Sequence, residues 1–390
     1  MERNDPRYQA YVEILKEELI PAMGCTEPIA LAYAAAKARE VLGGLPDSVQ
    51  LQVSGSIIKN VKSVIVPNTG HLKGMEAAVA AGIIAGSAEK ELEVISEVSE
   101  EKKSAIRDYL QTVPITIEHT EQGHVFDIVV TERCGQDYAR VRIADYHTNI
   151  CRIEKNGTVL YEVPLLDETV QEDARADRSL LNMQDIWDFA ETADLRDVAD
   201  LLERQIRYNN AIAEEGLLGD YGANIGRVLL TTYGNDVSNR AKAKAAAGSD
   251  ARMNGCELPV IINSGSGNQG ITCSVPLIEY AKELHSGKEK LYRALIISNL
   301  VAIHEKTGIG TLSAYCGAVS AGAGAGAGIV YLHGDSYEAA IHTVVNALAI
   351  VSGIVCDGAK ASCAAKIASS VDAALLGYNM YKCNQEFKGG

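Results

Sequence analysis

The pattern of apolar and polar positions begins with two helical stretches. Apolar side chains recur at helical spacing in YVEILKEELI and again in PIALAYAAAKAREVL, which ends at Gly43 and Gly44. Between these stretches lies PAMGCTEP, where two prolines around Gly24 and Cys25 interrupt the helical pattern. We therefore predict N-terminal helices within residues 1–46 that pack on the helical domain, with Cys25 near the start of the second helix.

Residues 47–178 show short runs of β-branched and polar side chains in alternation, which is typical of strands. The runs are SVQLQVSGSII, SVIVPN, VPITIEH, VFDIVVTERC and YARVRIADYHTNICRIEKNGTVLYEVP. The Asn-Gly pair at 156–157 and the short spacing between runs favour hairpins over parallel crossovers. A small-residue helix is predicted at 74–86 and an acidic linker at 167–178. This part is expected to be an α+β domain with mostly antiparallel connections.

Almost all of residues 179–390 has a helical pattern. Helices are predicted at 184–214, 222–247, about 270–286, 288–306, 311–332, 336–352 and 359–382. The uncharged segment 311–332 is long enough to span a bilayer, but it consists mainly of Ala, Gly, Ser and Thr rather than Leu, Ile and Phe. Small residues let helix backbones approach closely, so we expect this segment at the centre of an all-α domain. The fold class is therefore α+β, with a helical second half.

Composition and charge narrow the function classes. A chain of 390 residues is expected to form roughly two or three domains. The net charge of −15 argues against binding to nucleic acid or to an anionic membrane, because both need clustered Lys and Arg. The charged, amphipathic N-terminus does not resemble a secretion signal, so a cytoplasmic location is expected. Nine cysteines, an odd number, indicate free thiols, a metal site or catalysis rather than disulfides.

Three cysteines occur in the least polar part of the chain. Cys316 lies in SAYCGAVSAGAGAGAG, and Cys356 and Cys363 lie in GIVCDGAKASCAAK. The pair lacks the two-to-four-residue spacing that is usual for zinc ligands. From spacing alone the three thiols are either small buried core residues or the ligands of a metal cluster.

A polar, glycine-rich segment occupies residues 262–270, with the sequence INSGSGNQG, directly before a predicted helix. Its candidate ligand-binding residues are Asn263, Ser264, Ser266, Asn268 and Gln269. Free backbone N–H groups and side-chain amides at a helix start suit a carboxylate or a phosphate. The segment lacks the Lys-Ser/Thr of a phosphate-binding loop and the dinucleotide-binding spacing, so an amino-acid carboxylate fits better. The alternative is a polar loop without a ligand.

Four further residues are candidates for a functional site. His147 and Asn149 interrupt a strand pattern in DYHTN, where a lone histidine is most often structural. Arg252 is predicted in a turn, in SDARMNG, where it could clamp a carboxylate with two hydrogen bonds or form a surface ion pair. Cys25 is predicted near a helix N-terminus, where the helix dipole and the free backbone N–H groups would stabilise a thiolate.

Several of these motifs occur together in one chain. They are PAMGCTEPIALA at 21–32, HTN at 147–149, SDARMNG at 249–255, NSGSGNQG at 263–270, and Cys316 with VCDGAKASCAAK at 355–366. In combination they resemble the L-cysteine desulfidase family, which is related to the iron–sulfur L-serine dehydratases, over essentially the whole chain. The resemblance implies a [4Fe–4S] cluster with one iron open for substrate. It also implies α,β-elimination of L-cysteine to sulfide, ammonia and pyruvate.

The resemblance also implies roles for residues of this chain. Cys316, Cys356 and Cys363 would bind the cluster, although the dehydratases separate their last two ligands by a longer segment. Cys25 and His147 would be catalytic, with a low-pKa Cys25 thiolate as a candidate base and fourth cluster ligation by Cys25 as an option. The substrate-binding set would be Glu27, Asn149, Arg252, Asn263, Ser264, Ser266, Asn268 and Gln269. The expected partner is a small amino acid, and a homodimer is one option for assembly.

Three alternatives stay open from the sequence. The same chemistry could act on L-serine or on another β-substituted amino acid. The chain could be a non-catalytic iron–sulfur carrier or sensor, or a cluster-free helical protein with buried thiols. A pyridoxal-phosphate enzyme is disfavoured, because Lys360 and Lys366 lie in no recognisable phosphate-binding context.

Overall fold

The structure, a computed structural model, describes residues 1–121, 124–165, 176–310 and 313–387. The helices in these ranges are α1 (Pro6–Glu18), α2 (Thr26–Leu42), α3 (Gly55–Val61), α4 (Gly74–Ala85), α5 (Glu100–Thr112), α6 (Met183–Thr192), α7 (Ala199–Leu218), α8 (Ile225–Tyr233), α9 (Val237–Met253), α10 (Gly267–Glu283), α11 (Lys288–Thr307), α12 (Gly317–His333), α13 (Tyr337–Val351) and α14 (Cys363–Lys382). The strands are β1 (Pro21–Met23), β2 (Ser48–Val53), β3 (Ile115–His119), β4 (Asp127–Cys134), β5 (Asp137–Ala144), β6 (Ile150–Lys155), β7 (Thr158–Glu162) and β8 (Pro259–Ile261). The predicted α+β class with a helical second half is confirmed.

A six-stranded sheet forms the core of the α+β part, in the order β3-β2-β4-β5-β6-β7. Only β2 and β3 run parallel among these neighbours, so the mostly antiparallel prediction is confirmed. Asn156 and Gly157 join β6 to β7 with φ values of 51° and 82°, the left-handed pair that a two-residue hairpin turn requires. Helix α2 packs against β4 and β5, and it thereby connects the N-terminal region to the sheet.

Two segments of the α+β part differ from the predicted strands. β2 ends at Val53, and the following residues form α3 because Ile57 and Val61, four positions apart, bury one helical face. The segment at 63–68 contributes only a single β-bridge, between Ile65 and Lys73. The predicted linker at 167–178 falls mainly on residues 166–175, which lie outside the described ranges.

The helical half contains more breaks than the apolar pattern predicted. The predicted helix at 184–214 is divided into α6 and α7, and the one at 222–247 is divided into α8 and α9 at Gly234, whose φ is 90°. One short strand, β8, interrupts the helices and pairs antiparallel with β1. Helix α1 packs its tyrosines Tyr8 and Tyr11 on Phe189 of α6. The N-terminal region therefore contacts both halves, and the three-part division of the chain stays a prediction.

Helix α12 is the buried centre of the helical half, as predicted, although it begins only at Gly317. It packs against α10, α11, α13 and α14, and its run of Ala and Gly is almost fully buried. A Cβ atom at Gly324 would lie 2.4 Å from the backbone oxygen of Ser298 in α11. The small residues are thus required by backbone contact between helices. Within the described ranges no helix, α12 included, combines the length and hydropathy needed to cross a membrane.

We expect Gly324→Ala to destabilise the protein by about 1–3 kcal/mol, because the added methyl group would force α11 and α12 apart. The higher helix propensity of alanine, worth up to about 1 kcal/mol, opposes this effect but is smaller. Urea unfolding followed by circular dichroism measures the change. Gly44→Ala is the matched control, because a Cβ there would meet no atom within 4 Å. Equal stability of the two variants would contradict the close approach of the helices.

Candidate functional site

A cavity of about 120 Å³ lies where the α+β part meets the helical part. The residues selected from the sequence that line it are Cys25, Glu27, His147, Arg252, Ser264, Ser266, Asn268, Gln269, Cys316, Cys356 and Cys363. They come from segments that are far apart in the chain. Of the selected residues, Asn149 and Asn263 do not line this cavity.

Four helices begin at this cavity. Cys25 is the N-cap of α2, Ser266 the N-cap of α10 and Cys316 the N-cap of α12, while Cys363 is the first residue of α14. The first turn of a helix leaves backbone N–H groups free and carries the positive end of the helix dipole. Four such ends around one cavity favour bound anions, such as thiolates or a carboxylate.

Two of the three cysteines are held side by side by a β-bridge between Tyr315 and Val355. The N–H of Cys316 donates to the oxygen of Ile354 at 3.1 Å, and the N–H of Cys356 donates to the oxygen of Ala314 at 2.7 Å. In an antiparallel pair, the residues that follow the bridged pair on each strand point to the same side. Both thiols therefore face the cavity wall that the bridge builds.

Cys363 completes this wall from the start of α14, which begins four residues later than the predicted helix at 359–382. Burial raises the pKa of the thiols of Cys316 and Cys363, and the nearby Cys356 adds to the effect in both. The three thiols thus form one electrostatically coupled group in a poorly solvated place.

The donor set fits an iron–sulfur cluster better than a single ion. In the described part of the chain, no three His, Cys, Asp or Glu side chains lie close enough to hold one metal ion. A cubic cluster binds each cysteine at a different iron, so its ligands surround a space instead of closing on one point. Three thiols around one cavity are the ligand type that such clusters use.

Arg252 lies in the last turn of α9, not in the turn that the sequence predicted, and it is only 3% exposed. Its Nη1 donates to Oδ1 of Asn268 at 3.1 Å, whereas Nε and Nη2 have no partner. Gly267 makes room for this side chain, because a Cβ there would lie 2.3 Å from Nε. Nε and Nη2 form the edge of a guanidinium that binds both oxygens of a carboxylate.

Glu27 accepts several hydrogen bonds in the first turn of α2. Its Oε2 accepts from the Cys25 thiol at 3.0 Å, and its Oε1 accepts from Nδ2 of Asn60 at 2.9 Å. Burial acts to raise the pKa of Glu27, but His147, the Cys25 thiol and Arg252 counter this and hold it below its ordinary value. Glu27 is therefore a buried carboxylate that stays charged.

Cys25 differs from its predicted chemical state. It occupies the helix start as expected, but burial and then the charge of Glu27 raise the pKa of its thiol well above the ordinary value. A helix dipole cannot outweigh a carboxylate 3.0 Å away in a buried place. The predicted low-pKa thiolate is wrong, and Cys25 is a protonated thiol that donates to Glu27.

His147 lies in the turn between β5 and β6, with its ring edge-on to Phe126 at 4.7 Å between centroids. Its Nε2 has no hydrogen-bond partner, and burial lowers its pKa although Glu27 acts in the opposite direction. The lowered pKa favours the neutral imidazole. Asn149 closes the same turn by donating from Nδ2 to the oxygen of Ala144 at 2.9 Å, and it lies outside this cavity.

The polar loop forms a tight turn that starts α10. The backbones of Asn263 and Ser266 exchange hydrogen bonds at 3.0 and 3.1 Å, and Ser264 and Gly265 have φ values of 49° and 74°. The side chain of Asn263 is fully buried and donates to Oδ1 of Asn299 at 3.0 Å, so it braces the turn from behind. Gln269 reaches the cavity, where its Oε1 has no partner.

Comparison with known proteins identifies the relatives of this chain. A family model described as the serine dehydratase alpha chain matches residues 89–389. This chain belongs to the serine dehydratase alpha chain family. The predicted relationship to the iron–sulfur serine dehydratases is thereby confirmed.

Other proteins are similar to this chain over nearly its full length. A UPF0597 protein of Desulfitobacterium hafniense (strain Y51) is 61% identical over 390 residues, covering 100% of this chain and 90% of its own length. A UPF0597 protein of Lachnoclostridium phytofermentans is 55% identical over 369 residues, covering 95% and 88% of the two chains. A UPF0597 protein of Treponema denticola is 47% identical, covering 100% and 91%.

The residues that the family model matches include only part of the candidate site. His147, Arg252, the polar loop and the three cysteines lie within the matched residues, whereas Cys25, Glu27 and Asn60 precede them. The full-length relatives carry both portions in one chain. The N-terminal helix start is thus part of the same cavity as the family region.

Sequence reasoning missed several polar residues of this cavity, among them Asn60 and Lys306. Asn60 has an unpartnered Oδ1 and lies on α3, which the β-pattern of the sequence concealed. Lys306 lies at the C-terminal end of α11, where a lysine is ordinarily read as a solvated cap. No motif marks either residue, and only their burial at the cavity singles them out.

Proposed function

We propose that this protein is a [4Fe–4S]-dependent lyase that eliminates the β-substituent of a small L-amino acid, with L-cysteine as the substrate. Its products would be sulfide, ammonia and pyruvate. The observation that carries this proposal is the set of buried polar atoms without partners in one cavity: Nε and Nη2 of Arg252, Oδ1 of Asn60, Oε1 of Gln269 and Nε2 of His147. Membership of the serine dehydratase alpha chain family supports the reaction class.

The unpartnered atoms match the groups of an α-amino acid. Two free donors on Arg252 suit the carboxylate, and two free amide oxygens, on Asn60 and Gln269, suit the ammonium group. The donor Nδ2 of Asn60 is engaged by Glu27, so its oxygen faces the cavity. Because an unpaired buried polar group is costly, a cavity with this inventory is expected to bind a ligand that satisfies it.

Cys316, Cys356 and Cys363 would hold the cluster in this proposal. When bound, such a cluster supplies an open iron that acts as a Lewis acid on the substrate. The partial burial of the three cysteines would limit the access of bulk water to it.

The protein's own residues then position the substrate and move one proton. Arg252 fixes the carboxylate, and the neutral His147 accepts the Cα proton at Nε2. The electron pair of the Cα–H bond forms the Cα=Cβ bond, and the Cβ–S bond breaks with its pair on the leaving hydrosulfide. The aminoacrylate released tautomerises and hydrolyses to pyruvate and ammonia. Cys25, as a thiol, holds Glu27 in place beside the ammonium group.

A second candidate substrate is L-serine, which the family description favours. Its carboxylate and ammonium groups would make the same contacts, and only the leaving group differs.

Anaerobic purification and cluster reconstitution, followed by assays with L-cysteine and L-serine, test the proposal. We expect equimolar sulfide and pyruvate from L-cysteine, with a higher kcat/KM than for L-serine. If pyruvate formed from L-serine but not from L-cysteine, L-serine would be the substrate and the proposed reaction class would stand. A reconstituted cluster without pyruvate from either amino acid would support the carrier or sensor alternative and contradict the enzyme.

A further inference from the structure

A second, larger cavity lies beside the site. This outer chamber has a volume of about 680 Å³ and shares a wall with the site, formed by His147, Ser264, Gly265 and Lys306. Within this wall Gly265 packs closely on His147, because a Cβ at Gly265 would lie 3.2 Å from Cε1 of His147. The two cavities are thus separated by one imidazole ring, one tight turn and one lysine side chain.

Lys306 is the charged member of this wall. The residue is only 7% exposed, and within the described ranges its ammonium group makes neither a hydrogen bond nor an ion pair. It lines both the outer chamber and the site. A lysine this far inside the protein, whose ammonium group makes no hydrogen bond or ion pair with a described side chain, is expected to meet an anionic ligand at the cavity.

Away from the shared wall, the outer chamber carries negative charge. Glu17, Glu18 and Arg178 line the chamber but not the site. Arg178 donates to Glu17 at 2.9 Å and to Glu18 at 2.6 Å, so the three side chains together carry one negative charge. A chamber that is negative at one end and positive at the shared wall complements a zwitterion that enters with its carboxylate first.

We propose that the outer chamber is the entrance for the amino-acid substrate and that Lys306 is a positioning residue that draws the carboxylate through the shared wall towards Arg252. This inference rests on the proposed function, because it takes an α-amino acid as the ligand. It adds a second carboxylate-binding point to the one at Arg252. His147, which belongs to the same wall, would meet the substrate as it passes.

Binding of L-alanine to the reconstituted protein tests this proposal apart from turnover, since L-alanine has no β-leaving group. We expect Lys306→Gln to raise its dissociation constant, measured by calorimetry, by about tenfold or more, because a charged hydrogen bond is lost. Lys306→Arg should retain most of the affinity. For L-cysteine, Lys306→Gln should raise KM by a similar factor while kcat and the cluster absorbance stay close to wild type.

Two further variants provide a control for Lys306→Gln and a second test of the outer chamber. Lys290→Gln is the control, because Lys290 lies on the same helix but roughly 24 Å along its axis from Lys306. Thr307→Trp should narrow the chamber and lower kcat/KM for L-cysteine, because Thr307 lines the chamber but not the site.

The outcomes separate the two proposals. Unchanged L-alanine affinity in Lys306→Gln would overturn the role of Lys306, even if the wild type eliminates sulfide from L-cysteine. Loss of the cluster absorbance with unchanged affinity would also overturn it and assign Lys306 to the neighbouring thiolates. If L-alanine binding depended on Lys306 but the wild-type protein formed no pyruvate from L-cysteine, the proposed reaction would be contradicted. The proposed role of the outer chamber as the substrate entrance would stand.

Discussion

Cys316→Ala and Cys356→Ala, reconstituted anaerobically, are expected to lack the absorbance at about 400 nm that thiolate-bound iron gives, and to form no pyruvate from L-cysteine. The reason is geometric. These two residues face the cavity from adjacent segments that a single β-bridge aligns, so the loss of either thiol removes a ligand from that wall. Activity should fall to the background level, because the cluster supplies the open iron. Absorption spectra and a pyruvate assay on the same samples measure both effects.

Cys273→Ala is the matched control for these variants. Cys273 is fully buried, like a typical structural cysteine, but it packs against Ala302 and Ala321 and does not line the cavity. It should keep the absorbance and the activity, with a small loss of stability from the deleted sulfur. Cys363→Ala should behave as the other two ligand variants. If it retained the cluster, the shortened spacing between Cys356 and Cys363 would mark a real departure from the dehydratases, and the ligand set would need revision.

The local chemistry of the site was readable from the sequence where it depends on short-range signals. Proline and glycine residues predicted the helix start at Cys25 and the polar segment before α10, because these residues restrict or free the backbone locally. The Ala/Gly run predicted the central helix for the same kind of reason, since only packed helices need such small side chains.

What the sequence did not predict depends on contacts between distant segments. The β-bridge that aligns Cys316 with Cys356 joins residues 40 positions apart, and nothing local requires it. The protonated state of Cys25 follows from burial and from Glu27, which outweigh the helix dipole. Asn60 and Lys306 enter the site through the ends of α3 and α11, whose positions only the tertiary packing determines.

Arg252→Lys is expected to lower kcat/KM for L-cysteine by roughly 30-fold to several thousand-fold, with most of the change in KM. Lysine keeps the positive charge but loses the paired Nε and Nη2 donors that match a carboxylate. Truncating one partner of a buried, hydrogen-bonded charge pair costs about 2–5 kcal/mol, which corresponds to the range given. Steady-state kinetics with L-cysteine measures the effect, and the cluster absorbance should be unchanged because Arg252 is not among the ligands.

Arg240→Lys distinguishes loss of carboxylate binding from a general effect of shortening an arginine in α9. Arg240 lies on the same helix, pairs with Glu279 and Glu283, and lies outside the cavity. A lysine there can still pair with Glu283, so KM should stay at the wild-type value. If Arg252→Lys showed the KM of the Arg240→Lys control, the free guanidinium edge would not be the carboxylate site, and the assignment of the cavity to an α-amino acid would lose its main support.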